Sequence, residues 1–312
     1  KEDVVGLSLD RSIEAVIGML AVMKAGGAYL PLDASYPEER LKYMLENSEA
    51  KYLITESKYR EKFGYFSGNL AVIDRDIELI EISSTEDPKV SIVSNNLVYL
   101  IYTSGSTGKP KAVMVEHKSV VNRFTWMWDK YPFEKGEVTG ARTSFSFVDS
   151  FWEIFGGILQ GFPVVMFTEN VIRNPIDLLN QLNKYHISRT IFTPSLLKVI
   201  LNKTASFFSA LKNLKFVTLS GEPLNINILK QIKELLPNIV ILNLYGSTEV
   251  TGDCSYKEIK GEKITIGSPI YNTKMYILDE KRELVPIGSI GEIYVSGAAV
   301  ARGYYNNLSA TE

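Results

Sequence analysis

The stretch that decides the reading is Leu97-Val98-Tyr99-Leu100-Ile101-Tyr102-Thr103-Ser104-Gly105-Ser106-Thr107-Gly108-Lys109-Pro110-Lys111-Ala112-Val113-Met114-Val115. An apolar and aromatic run reads as a buried strand, a polar loop follows, and a strand pattern resumes after Lys111. Between Thr103 and Lys111 lie two glycines, four hydroxyl side chains and two lysines. Glycine lets backbone N–H groups approach an anion, hydroxyls add donors, and lysine supplies charge, so the loop has a phosphate-handling composition. It is not a Walker A loop: two residues separate Gly105 from Gly108, and Pro110 follows Lys109 where serine or threonine belongs. It is not a G-x-S-x-G serine elbow either. Taken alone, it also fits a polar, glycine-rich surface turn.

Working outward, strand and helix patterns alternate over about the first 250 residues. Val4–Leu9 reads as a buried strand. Ser12–Lys24 reads as a helix with apolar residues at Ile13, Val16, Ile17 and Leu20, stopped by Gly26-Gly27. A second helix starts at Pro37 and buries Leu41, Met44 and Leu45. Further on, strands are expected at 142–146, 162–168, 187–193, 215–219 and 239–244. Helices are expected at 149–160, 175–185, 196–203 and 225–236. Short apolar strands alternating with helices point to mostly parallel sheets covered on both faces. From about Lys263 the texture changes to short alternating strands split by Gly and Pro, including 275–278 and 291–296, which predicts an antiparallel, barrel-like region.

The 312 residues are 45% hydrophobic and 22% charged, a composition that supports a globular core. The net charge of −2 gives no electrostatic reason to expect nucleic acid or an anionic membrane as a partner. The single cysteine, Cys254, cannot form an internal disulfide and fits a reducing compartment. Lys1-Glu2-Asp3 does not open a signal peptide, and the early apolar run from Ala15 to Met23 is nine residues. A membrane span needs ~20. The expected location is cytoplasmic, and both ends read as cut from something longer.

Four ordered motifs carry a resemblance. Tyr102 to Lys111 resembles the signature loop of adenylate-forming enzymes, with Ala112 where glycine is usual. Met23-Lys24-Ala25-Gly26-Gly27-Ala28-Tyr29-Leu30-Pro31-Leu32-Asp33 resembles a segment of the peptide-synthetase branch. Asn243-Leu244-Tyr245-Gly246-Ser247-Thr248-Glu249 is similar to N-x-Y-G-P-T-E, with Ser247 for the usual proline. Gly291 to Gly297 and Val300 to Tyr304 resemble G-E-(L/I)-x-(V/I)-x-G and V-A-R-G-Y. The chain thus resembles the N-terminal part of a nonribosomal peptide synthetase adenylation domain. The resemblance implies an α/β fold: two mostly parallel α/β sheets packed together, plus a distorted antiparallel β-barrel region. Residues 1–254 would carry the ATP and acid sites and 255–312 the start of the barrel-like region. A mobile C-terminal lid with a catalytic lysine is expected outside this chain, so the fragment alone is expected to adenylate poorly.

The resemblance also implies the chemistry, in which a carboxylate attacks the α-phosphorus of ATP and pyrophosphate leaves. Positive charge, oriented donors and Mg²⁺ must bring two anions together. By motif, Thr103, Ser104, Gly105, Ser106, Thr107, Gly108 and Lys109 would wrap the triphosphate. Gly221, Glu222 and Pro223 would border the adenine, with Asn243, Leu244, Gly246 and Ser247 in the same nucleotide segment. Tyr245 would stack on the base, Thr248 would donate to phosphate or carboxylate, and Glu249 would bind Mg²⁺. Without the motif, Tyr245 reads as a core aromatic and Glu249 as a solvated helix-start carboxylate. His117 and His186 are too far apart in sequence to suggest a pair, and Trp126 and Trp128 read as core or interface residues. Cys254 reads as a small packed residue beside the pocket.

The acid pocket departs from the usual pattern. Relatives that activate α-amino acids use F-D-x-S, whose aspartate meets the α-ammonium. Here Phe147-Val148-Asp149-Ser150-Phe151-Trp152-Glu153 puts valine there and moves the carboxylate one residue on. The remaining pocket positions fall on Trp152, Ile191, Thr218, Ser220, Leu244, Gly252 and Asp253. Together with Val148 and Asp149 this resembles the signature for β-amino acids, β-alanine above all. A buried carboxylate that lacks its cation costs about 3–5 kcal/mol, and a β-ammonium would satisfy Asp149. The other reading is that Asp149 caps the following helix on the N–H of Phe151 or Trp152. Implied partners are the amino acid, a carrier-protein domain with its phosphopantetheine, and adjoining condensation-type modules. An acyl- or aryl-CoA ligase and a non-catalytic ATP-binding domain stand as alternatives.

Overall fold

The computed structural model describes residues 1–104, 109–209 and 211–312. Its contacts divide the chain into two compact units, one of Lys1–Lys118, Ser144–Ser150 and Ala301–Glu312, the other of Ser119–Thr143 and Phe151–Val300.

The chain begins with strands β1 (Val4–Ser8), β2 (Ala28–Pro31), β3 (Tyr52–Thr55), β4 (Asn69–Val72), β5 (Leu97–Thr103) and β6 (Lys111–Glu116). Between them lie helices α1 (Ile13–Lys24), α2 (Glu38–Asn47) and α3 (Ile77–Glu81). Next come α4 (His117–Lys130), β7 (Thr139–Ala141), α5 (Asp149–Ile158), β8 (Val164–Met166), α6 (Glu169–Arg173), α7 (Pro175–Lys184) and β9 (Arg189–Phe192). Then follow α8 (Pro194–Phe208), β10 (Phe216–Leu219), α9 (Ile226–Leu235), β11 (Val240–Tyr245), β12 (Ser255–Glu258) and β13 (Ser268–Pro269). The last elements are β14 (Thr273–Leu278), β15 (Glu292–Gly297), β16 (Gly303–Tyr304) and α10 (Leu308–Thr311).

The first unit holds a seven-stranded sheet in the order β16-β6-β5-β2-β1-β3-β4. Its pairings from β5 through β4 are parallel, and the β5–β6 hairpin and β16 add antiparallel strands at one edge. Leu41, Met44 and Leu45 of α2 are buried with Val4, Leu30 and Leu100, so the period read from Pro37 onward faces the core as expected. The second sheet runs β13-β12-β11-β10-β9-β7-β8, parallel from β8 to β11, and its core joins α7, α8 and α9 through Leu179, Leu197 and Leu229. The expected mixed α/β class with two mostly parallel sheets holds.

Three expectations need correction. The strand predicted at 142–146 lies instead at Thr139–Ala141, because the N–H groups of Arg142 and Thr143 turn to the Glu153 carboxylate at 3.0 and 2.7 Å and leave the ladder. In α1, Ser12 caps the helix through Ala15 N–H. The buried face is Ala15, Val16, Met19 and Val22, while Ile13 and Ile17 are 70% and 58% exposed. No closed barrel forms among the described residues. β12 and β13 extend the second sheet, while β14 and β15 form a separate two-stranded sheet, and a barrel requires the first and last strands to meet.

Candidate functional site

In the first unit, the glycine- and hydroxyl-rich loop leaves the sheet at the end of β5. Thr103 stands opposite Lys111 in the hairpin register, half-buried, and Ser104 and Lys109 are exposed. Gly105, Ser106, Thr107 and Gly108 lie outside the described residues. The hairpin is pinned on both arms. The Tyr43 hydroxyl donates to Pro110 O at 3.1 Å, and the Tyr102 hydroxyl lies 2.8 Å from Asn47 Oδ1. Arg302, from the Val300-to-Tyr304 motif, holds Glu116 of β6 at 3.0 Å and both carboxylate oxygens of Glu2 at 2.8 and 2.9 Å. This arginine has a tying role that the motif did not disclose. Val148 and Asp149 are half-buried, and Asp149 is the first residue of α5. Its carboxylate therefore sits in the first helical turn, where the helix dipole favours negative charge.

The second unit gathers most of the other motif residues at the C-terminal ends of parallel strands. Ile191 on β9 and Thr218 on β10 are direct register partners. With Trp152, Glu153, Thr139 and Leu242 they line a cavity of about 20 Å³, enough for about one water. Past β10, Ser220 is buried, and Gly221, Glu222 and Pro223 are exposed. Gly221 takes a φ of +83°, and Glu222 accepts from Ser195 N–H at 2.9 Å. Asn243 donates to Thr265 O at 2.9 Å and Leu244 is buried, while Tyr245 emerges with 37% of its surface exposed. Such an aromatic face at a strand end can receive a planar base.

The loop after β11 is closely packed. A Cβ at Gly246 would stand 2.0 Å from Gly252 O and 2.8 Å from Asp253 Cα. Only glycine permits that approach, which joins Tyr245-Gly246 to Gly252-Asp253. Ser247 is exposed, Thr248 and Glu249 are half-buried in a 3₁₀ turn, and Thr251 adopts a left-handed φ of +58°. The Thr251 hydroxyl fixes that conformation by donating to Ala299 O at 2.8 Å.

Asp253 is fully buried. Arg123 of α4, itself buried, donates to its Oδ2 from Nε at 2.8 Å and from Nη2. The Arg123 guanidinium lies 5.2 Å from the Trp152 ring centroid, and Phe124 packs edge-on against the same indole at 5.0 Å. Sequence reasoning missed Arg123. In the sequence it stands beside Asn122 and Thr125 as well as Val120, Phe124, Trp126 and Met127, so nothing local marks it as buried. It also gave Glu153 no role. Burial pushes the Glu153 carboxyl up, although its Oε2 accepts two backbone N–H groups. Cys254 is buried, donates to Tyr245 O at 3.4 Å, and has its thiol pushed up to about 11 by burial. Trp126 is fully buried in the core, and the half-buried Trp128 donates to Gly156 O at 2.8 Å. Among the described residues, no three His, Cys, Asp or Glu side chains are grouped to hold a metal ion.

With this geometry in view, a profile of AMP-binding enzymes matches residues 1–305. The chain belongs to the AMP-binding enzyme family. Bacitracin synthase 3 of Bacillus licheniformis is 36% identical over 99% of this chain, which covers 5% of that protein. Tyrocidine synthase 3 of Brevibacillus parabrevis is likewise 36% identical over 99% of the chain, which covers 5% of it. The chain thus spans a small part of the curated relatives it matches. The N-terminal subdomain of Klebsiella oxytoca NpsA, solved with 3-hydroxyanthranilyl-AMSN, has a TM-score of 0.84 at 22% identity, over 99% of this chain and 78% of that one. The nonribosomal peptide synthetase FmoA3 gives 0.89 at 24% identity, over 99% and 33%. Both likenesses concern the fold. Among the described residues, no helix is long and apolar enough to cross a membrane.

Proposed function

We propose that this AMP-binding enzyme chain carries the nucleotide and acid sites of an amino-acid-activating adenylation domain, both within residues 1–254. The reaction joins a carboxylate oxygen to the α-phosphorus of ATP, breaks the bond to the β-phosphate, and releases pyrophosphate and an aminoacyl-AMP. The observation that carries this reading is the close packing of Tyr245-Gly246 on Gly252-Asp253, with Asp253 tied through Arg123 to Trp152. It sets the segment assigned to the nucleotide beside residues assigned to the acid.

In this reading Tyr245 stacks on adenine bordered by Gly221, Glu222 and Pro223, and Thr248 donates to the reacting oxygens; the motif, by resemblance, gives Thr103 to Lys109 to the triphosphate. Glu249 fits Mg²⁺ as a single half-buried carboxylate next to a hydroxyl, since Mg²⁺ is commonly held by one or two carboxylates plus substrate phosphates and water. Bound there, the ion would supply positive charge to the phosphates. Closely placed donors and cations lower the barrier by holding two anions in line.

The acid is a β-amino acid, with β-alanine favoured. Support comes from Val148 at the usual aspartate position and Asp149 one residue later, at the start of the helix that bears Trp152. The aminoacyl group passes to the phosphopantetheine thiol of a carrier domain within a larger synthetase. Pyrophosphate exchange by the intact parent, tested with β-alanine, α-amino, aryl and fatty acids, decides the matter. Exchange with β-alanine is expected, and exchange only with aryl or fatty acids would overturn the substrate reading.

A further inference from the structure

Among the charged residues of the second unit, Arg123 belongs to no motif. It is 4% exposed in the middle of α4, and both of its hydrogen bonds to Asp253 go to one oxygen, Oδ2. Arg123 Nη1 and Asp253 Oδ1 have no hydrogen-bond partner among the described residues. The guanidinium also lies over Trp152. A wall residue of the assigned acid pocket and one of its assigned carboxylates are therefore joined through a single arginine.

We propose that Arg123 determines acid specificity: it holds Asp253 in a net-neutral pair, denies the pocket a second ammonium anchor, and confines the domain to acids bearing one ammonium group. The inference rests on the reading that Trp152 and Asp253 line the acid pocket. A lone buried carboxylate requires a cation, and without Arg123 the second ammonium of a diamino acid would supply it. Arginine fills that role permanently, because it stays protonated and its planar fork is geometrically fixed. With Asp253 already neutralised, a second ammonium or a second carboxylate would be buried without a free counter-ion, and that uncompensated desolvation disfavours both. The open Nη1 donor and Oδ1 acceptor suit a water or a neutral hydroxyl.

The test is pyrophosphate exchange by the intact synthetase with β-alanine, diaminopropionate and aspartate. Wild type should prefer β-alanine. Arg123→Met should raise the diaminopropionate-to-β-alanine ratio of kcat/KM by about tenfold or more, and Asp253→Asn should raise the aspartate ratio by a similar factor. Arg123→Lys, which keeps the cation but loses the planar fork, should hold the diaminopropionate ratio closer to wild type than Arg123→Met does. If Arg123→Met does not fold by circular dichroism, Asp253→Asn decides alone. Unchanged ratios in the folded variants overturn the role of Arg123 and leave the pocket reading standing. Wild-type protein that exchanges with no amino acid overturns both.

Discussion

Arg302 grips Glu2 with two parallel hydrogen bonds, Nη1 to Oε2 at 2.9 Å and Nη2 to Oε1 at 2.8 Å, and so joins residues 300 positions apart. The same guanidinium reaches Glu116 on β6 at 3.0 Å. The beginning of the chain, the strand after the hydroxyl-rich loop and the late Val300-to-Tyr304 motif are thereby stapled into one unit.

The first prediction concerns that staple. Arg302→Ala should lower unfolding stability by about 1–2 kcal/mol, discounted because Arg302 and Glu2 are both about a third exposed. The Arg302 guanidinium lowers the Glu2 carboxyl from 4.5 to about 2. A carboxylate whose folded value is depressed contributes above its unfolded value and loses that contribution as pH falls toward the folded one. The stability gap between wild type and Arg302→Ala should therefore close between pH 4.5 and about 2, measured by urea denaturation across that range. A gap independent of pH would show that Glu2 is not the partner that matters.

Glu153 titrates in the opposite sense. Burial raises its carboxyl above the usual value, so the contribution it makes when protonated is lost as pH rises. Glu153→Gln should keep both acceptor bonds to Arg142 and Thr143 and gain stability relative to wild type with rising pH. Glu153→Ala leaves two backbone N–H groups without their acceptor and should cost about 2–5 kcal/mol. Thermal melts of the three proteins from pH 5 to pH 9 check the order. An alanine variant as stable as the glutamine variant would refute it.

These two carboxylates also mark how far the sequence could be read. The parallel α/β pattern was legible because Leu41, Met44 and Leu45 repeat at helical spacing, and the strands at 187–193, 215–219 and 239–244 are short apolar runs. The strand at 142–146 was misplaced because its backbone donors are captured by Glu153, a tertiary partner with no local signature. The face of α1 was blurred because Ile13 and Ile17 are as apolar as the buried Val16 and Met19. The barrel was over-read, since alternating strands with Gly and Pro describe a β14–β15 ribbon equally well. Motif spacing named Ile191, Thr218, Tyr245 and Asp253 as candidates, and the fold places Ile191 and Thr218 side by side on neighbouring strands. Arg123 was invisible because an arginine in a helix is ordinarily solvated, and only the fold shows it facing Asp253.

Asp149 is assigned the ammonium of the acid. Asp149→Ala removes the proposed partner of that ammonium, a loss of about 3–5 kcal/mol, or roughly two to four powers of ten in kcat/KM for β-alanine. Aryl acids, which lack the cation, should not suffer that loss. Exchange assays on the intact synthetase provide the comparison, and undiminished β-alanine activation would remove Asp149 from the pocket reading.

The role proposed for Glu249 is independent of which acid is bound. The carboxylate sits in the Thr248–Val250 turn, immediately after the tight Gly246 approach that fixes this loop on Gly252 and Asp253. Glu249→Gln keeps the shape and removes the charge, so a role in holding Mg²⁺ and a role in loop packing can be separated. The expected result is a fall of about 10²–10³-fold in exchange for every acid, together with a higher Mg²⁺ concentration for half-maximal rate. The melting temperature should stay within a few degrees of wild type, because substitutions at partly exposed positions usually change stability by about 0.5 kcal/mol or less. A variant with reduced exchange but an unaltered Mg²⁺ titration would move Glu249 from metal binding to positioning of the loop.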